Sequence, residues 1–100
     1  MIDVRYHEAA EAKLYDALGF LELRTKGLGR RLLNEVRRTA ARIAEFPLLG
    51  AESRPGVRKL PVYTFRYSLI YALDDHSVLI LAVAHASRRP DYWTGRLNAP

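Results

Sequence analysis

Near the C-terminal end of the 100-residue chain, the stretch HASRRPDYW (His85 to Trp93) sets an imidazole, two guanidinium groups, a carboxylate, a phenol and an indole side by side. Side chains of these types suit cleavage of RNA. That reaction needs a group to take the proton from a 2′-hydroxyl, cations to stabilise a phosphorane-like transition state, and an acid for the leaving oxygen. His85 and Tyr92 are the candidates for proton transfer, and Arg66, Lys59, Arg88 and Arg89 the candidates for charge stabilisation. A structural reading competes with the chemical one. After Pro90 the chain can fold back so that Tyr92 and Trp93 cap the core, since both rings bury a large apolar area while keeping one polar tip. Arg88 and Arg89 would then pair with acids such as Asp91.

Other chemistries find little support. There is no cysteine, which excludes disulfides, thiolate metal sites and cysteine nucleophiles, and which fits a reducing cytoplasm. His7, His76 and His85 are scattered, so neither a metal nor another cofactor is expected. Ser68, Ser77 and Ser87 lack the context of a nucleophile elbow. Gly27 and Gly29 follow a helical pattern rather than a strand, unlike a phosphate-cradling loop. Charges at Asp3, Arg5, Glu8 and Glu11 rule out a secretory or membrane-spanning start. The longest apolar run, Val78 to Ala84, is strand-sized, so no association with a membrane is expected.

The net charge is +5, and the excess is clustered. Arg24, Lys26, Arg30, Arg31, Arg37, Arg38 and Arg42 face a single acid, Glu35, between residues 24 and 42. Arg54, Arg58, Lys59 and Arg66 follow with no acid among them. This asymmetry suits a polyanionic partner, either nucleic acid or an acidic protein segment, or else it is a solvated helix face.

The elements that must position these groups follow from periodicity. Residues 2–6 alternate apolar and polar as a short strand does. From His7 to about Arg24, Ala10, Leu14, Ala17, Leu18 and Leu21 recur at helical spacing. A joint containing Gly27 and Gly29 leads to a second helix with Leu28, Leu32, Leu33, Val36, Ala40, Ile43 and Ala44 on its apolar stripe, ended by Pro47. So short a joint predicts an antiparallel hairpin. Leu48 to Gly56 reads as loop. Strands are expected over residues 57–60, over an alternating segment 65–73, and over 77–84 after an Asp74-Asp75-His76 turn. Alternation places Arg66 and Ser68 on one side of their strand, opposite Phe65, Tyr67 and Tyr71. The last strand is apolar on both faces and belongs inside the sheet, with His85 emerging at its end. The expectation is an α+β fold in one domain over residues 1–100: a small antiparallel-rich sheet on an N-terminal helical hairpin, in the order β-α-α-β-β-β.

The span RKLPVYTFRYSLIYALDDHSVLILAVAHASRRPDYW, from Arg58 to Trp93, resembles the C-terminal half of the RelE/ParE superfamily of bacterial toxins. FRYSLIYAL, the acidic turn DDHS, the strand VLILAVAH and the closing RRPDYW carry the likeness, and KGLGRRLLNEVRRTAARIAEFPLLG resembles the family's second helix. The family's fold has the same order of elements. The resemblance implies the toxin of a type II toxin–antitoxin pair, a growth inhibitor neutralised by a cognate antitoxin that wraps the basic surface. Arg30, Arg31, Arg37 and Arg38 are the residues expected to meet it. RelE-like members cleave mRNA on the ribosome, whereas ParE-like members inhibit DNA gyrase. Cleaving members tend to carry an arginine directly after the strand aromatic, where this chain has Ser68. The resemblance therefore leans toward gyrase. Under the alternative, mRNA cleavage, Arg66, His85 and Tyr92 are the catalytic candidates, and under either Lys59, Arg88 and Arg89 bind the target.

Overall fold

The computed structural model describes residues 2–89 and 91–97. β1 (Asp3–Tyr6) leads to α1 (Glu8–Arg24) and α2 (Leu28–Glu45). Four further strands follow: β2 (Ala51–Arg54), β3 (Val57–Pro61), β4 (Tyr67–Leu73) and β5 (Ser77–His85), with a 3-10 turn at Thr94–Leu97. The sheet runs β1-β5-β4-β3-β2, and β1 pairs parallel to β5 while the other pairs are antiparallel. The helical hairpin and the antiparallel-rich sheet are those the periodicity predicts.

One element corrects the expectation. Part of the segment read as loop, Leu48 to Gly56, is the edge strand β2, paired with β3 through an irregularity between Glu52 and Arg54. All four residues of β2 are exposed. A strand with no buried face has no reason to alternate, so its sequence AESR carries no strand signal.

Both helices are started by side chains from outside their own first turn. The His7 imidazole caps α1, its Nδ1 accepting from the Ala9 amide at 3.0 Å. Gly27 precedes α2 with no side chain to cap it and with φ 87°, a left-handed conformation that glycine adopts without strain. Glu22, near the end of α1, supplies the missing acceptor. Its carboxylate takes the Gly27 amide at 2.7 Å and the Gly29 amide at 3.0 Å. Those two backbone bonds, above all the one from Gly27, hold the Glu22 carboxyl below the ordinary carboxylate range. Gly29 is needed for a different reason: a Cβ there would collide with the Leu18 carbonyl of α1.

The hairpin buries Leu14, Leu32, Val36 and Ile43 against Val62, Leu69, Tyr71, Val78, Ile80 and Val83 of the sheet layer. Each such side chain contributes on the order of 2 kcal/mol when fully buried. The opposite face carries a second cluster of Val57, Ile70, Leu81, Ala82 and Trp93. A sheet covered on both faces explains the unbroken apolar run of β5. Between the two clusters the β4–β5 register shifts: Tyr71 pairs with Ile80 and Ile70 with Ala82, which leaves Leu81 without a partner. The extra residue reverses the alternation of β5. Val83, which straight counting from Val78 would put with Trp93, packs on the helix side instead.

Tyr71 ties the layers together. It is fully buried, and its hydroxyl accepts from the Gly50 amide at 2.9 Å and donates to the Pro47 carbonyl at 2.7 Å. Among the described residues, no helix is long and apolar enough to cross a membrane.

Candidate functional site

Five parts of the fold meet at the cleft: β3, the turn between β3 and β4, β4, the end of β5, and the chain leaving it. Lys59 comes from β3, Arg66 from the turn, Ser68 from β4, His85 from the end of β5, and Arg88, Arg89 and Tyr92 from the segment beyond. Together they line a cleft of about 300 Å³. The six residues proposed from sequence for catalysis and target binding, Arg66, His85, Tyr92, Lys59, Arg88 and Arg89, thus converge on one site. A bond from the Ala86 amide to the Arg66 carbonyl, 2.8 Å, closes the ladder there. Trp93 lines the cleft as well but is only 3% exposed, packed in the second cluster. The structural reading therefore describes Trp93. Pro90, assigned a part in the same fold-back, lies outside the described residues.

The cleft is cationic. Lys59, Arg66, Arg88 and Arg89 are all exposed, and Asp91 is the one carboxylate lining it. The expected pairing of Arg88 or Arg89 with Asp91 does not form. Ion pairs among the described residues are confined to Arg5 with Asp3 and Arg38 with Glu35. Asp91 sits at φ 64° and opens a turn, its carbonyl accepting from Thr94. Arg88 instead lies over the Tyr92 ring, 4.0 Å from its centre. Arg96 lies 5.3 Å from the same centre and donates to the Leu81 carbonyl at 2.8 Å. Sequence reasoning passed over Arg96; its one signal was a cation four residues beyond Tyr92.

His85 stands opposite Tyr67 in the β4–β5 ladder, the two rings edge to face with centres 5.0 Å apart. Its Nδ1 accepts from the Ser87 amide at 3.0 Å and lies 2.8 Å from the Ser87 hydroxyl. In the neutral ring the proton therefore sits on Nε2. Burial raises the Tyr67 phenol above its ordinary range, so Tyr67 stays protonated and serves as a wall of the cleft.

A second cleft of about 230 Å³ lies on the helix side of the same wall. Lys13, Asp16, Ala17 and Phe20 of α1 form its far side, and Phe20 is 57% exposed. Tyr67, His85, Arg88 and Tyr92 line both clefts. The reversed alternation of β5 brings this about, by turning His85 toward the face on which Val83 meets α1.

The arginines assigned to the antitoxin stand apart from the cleft. Arg30, Arg31, Arg37 and Arg38 are all exposed on α2, in two rows at seven-residue spacing. Arg31 and Arg38 line a shallow hollow of about 260 Å³ beside Tyr63 and Thr64 of the β3–β4 turn, and Arg38 is bound to Glu35 at 3.0 Å. The charge of Arg37 reaches Tyr6, partly offsetting the rise that burial imposes on that phenol. Among the described residues, no three His, Asp or Glu side chains converge as metal ligands.

The sequence matches the model of a family described as "ParE toxin of type II toxin-antitoxin system, parDE" over residues 4–90. Among curated proteins, no sequence matches. In three dimensions the chain is similar to one from the "Chromosomal ParDE TA system from P. aeruginosa", with a TM-score of 0.74 and 16% identity over 85% of this chain and 96% of that one. At that identity the likeness speaks for the fold, and the sequence match over most of the length speaks for the family. The chain belongs to the ParE toxin family of type II toxin–antitoxin systems.

Proposed function

We propose that this toxin arrests growth by inhibiting DNA gyrase in the cytoplasm, docking through the cationic cleft with Lys59, Arg88 and Arg89 as its contacts. A cognate antitoxin silences it by laying an acidic, amphipathic segment over Arg30, Arg31, Arg37 and Arg38. Residues 1–100 act as one domain. No cofactor or metal takes part in this reading. The choice of gyrase over RNA rests on Ser68, a half-buried neutral side chain on the cleft wall, at the place where the resemblance implies that cleaving members tend to carry an arginine.

A specific observation favours mRNA cleavage on the ribosome as the second reading. Arg66, His85 and Tyr92 line the same cleft, where the cations could stabilise a phosphorane-like transition state and His85 and Tyr92 could share the proton transfers.

One experiment separates the two. The purified toxin is assayed in parallel for inhibition of gyrase supercoiling and for cleavage of ribosome-bound transcripts. Inhibition with intact transcripts is expected, abolished in the Arg88→Ala/Arg89→Ala variant and preserved in His85→Ala and Tyr92→Phe. Cut transcripts with normal supercoiling, lost in His85→Ala, would replace the first reading by the second. The neighbouring open reading frame should encode the antitoxin, and Arg31→Glu/Arg37→Glu should weaken its capture without touching gyrase inhibition. An undiminished complex would refute that placement.

A further inference from the structure

We propose that Arg96 is a positioning residue of the cleft, holding Arg88 in place through the Tyr92 ring; the inference rests on the reading of the cleft as the target-docking surface. It starts from the irregularity in β5. Leu81 is fully buried and has no partner in the register with β4 or with β1. A buried carbonyl outside the ladder requires a donor from elsewhere. The Arg96 guanidinium provides it at 2.8 Å, reaching down from the closing 3-10 turn. The same guanidinium lies 5.3 Å from the centre of the Tyr92 ring, and that ring carries Arg88 at 4.0 Å. Arg88 has no acidic partner among the described residues, so the ring is what orients it.

The linkage therefore runs from the sheet interior to the cleft rim: the Leu81 carbonyl, Arg96, Tyr92, Arg88. Each contact suits arginine in particular, because a planar guanidinium can donate at its edge while lying along an aromatic face. Arg88 and Tyr92 line both clefts, so the device sets the geometry of their common wall. Arg96 lines neither and touches no target; it acts through the other two.

The test joins a spectroscopic readout to a functional one. At 4.0 Å from the ring centre, the Arg88 side-chain protons should be shifted upfield by the Tyr92 ring current in NMR spectra of the intact toxin. In Arg96→Ala that shift collapses toward the value of a free arginine, while Arg88→Ala and Arg96→Ala each weaken gyrase inhibition roughly tenfold. The double variant should be no worse than Arg88→Ala alone, because Arg96 works through Arg88. Arg96→Lys keeps a donor for Leu81 but lacks the planar face. It should fold even if Arg96→Ala does not, and should show a reduced Arg88 shift. An unchanged Arg88 shift in Arg96→Ala and Arg96→Lys, or losses that multiply in the double variant, would overturn the inference. A collapsed shift with full inhibition by Arg88→Ala leaves the positioning intact and defeats the reading of the cleft instead.

Discussion

Replacing Tyr71 with phenylalanine removes one oxygen atom and leaves the ring that fills the core. The consequences follow from two distances. The hydroxyl accepts from Gly50 at 2.9 Å and donates to Pro47 at 2.7 Å, and both the tyrosine and Gly50 are buried. Phenylalanine opens no substantial cavity, so the packing contribution is nearly unchanged. What changes is that an amide and a carbonyl lose their partner where water does not easily replace it. An orphaned buried group costs about 1–3 kcal/mol. The Pro47 carbonyl is closer to the surface, and the folded state no longer has to bury a hydroxyl, so the net expectation is about 2 kcal/mol. For a domain of this size that corresponds to a fall in Tm of roughly 8–16 °C. Thermal and guanidinium unfolding measure it directly. The midpoints should drop while the denaturant slope stays constant, because the surface exposed on unfolding is unchanged. Tyr63→Phe is the control, since Tyr63 is 75% exposed and should shift stability by less than about 0.5 kcal/mol. If Tyr71→Phe unfolds within experimental error of the parent, the hydroxyl is not what anchors the Pro47–Gly50 segment to β4.

Two further perturbations probe the helix starts. Glu22 has its folded-state pKa lowered by the Gly27 and Gly29 amides, so the stability it adds is complete above the ordinary carboxylate range and drains away as pH falls through the lowered value. Melting curves recorded between about pH 6 and pH 3 should therefore show a shallower acid decline for Glu22→Gln than for the parent, and parallel curves would refute the capping role. His7→Ala should cost about 1 kcal/mol through loss of the Nδ1 acceptor, and His7→Asn should recover most of it. A chemical-denaturation midpoint unmoved by the alanine variant would mean that the Ala9 amide finds another partner.

How far the fold was legible depended on whether burial was one-sided. α2 was plain, because its apolar residues fall on one stripe between the glycine joint and Pro47, and the structure ends it at Glu45. β4 was legible for another reason: both its faces are covered, but Tyr67, Leu69 and Tyr71 alternate with Ser68, Ile70 and Ala72, so the period of two survives. β2 was invisible because nothing in it is buried. The irregularity at Leu81 was equally hidden. In a strand apolar on both faces, inserting one residue changes no letter of the hydrophobic pattern while reversing every side chain after it. The Glu22 cap had a readable sign, an acid in the last turn of α1 ahead of a helix start that lacks its own capping side chain.

The sequence by itself determined the helical hairpin, the interior placement of β5, the cationic character of the chain and its kinship, because these are properties of residue types and their spacing. It also named the six residues around the cleft, because their side-chain types suit one chemistry, although Lys59 and Arg66 reach the cleft from β3 and its following turn while the others come from the end of β5 and beyond. Only the tertiary structure decided how those residues are held. Whether His85 faces α1 follows from the one-residue shift opposite Ile70 and Tyr71, and whether Arg88 meets Asp91 or Tyr92 follows from how the closing turn crosses the sheet. The orphaned Leu81 carbonyl that draws in Arg96 exists only once three strands have paired. Hydrogen bonds between residues far apart in the chain depend on register, and register is settled when the faces pack.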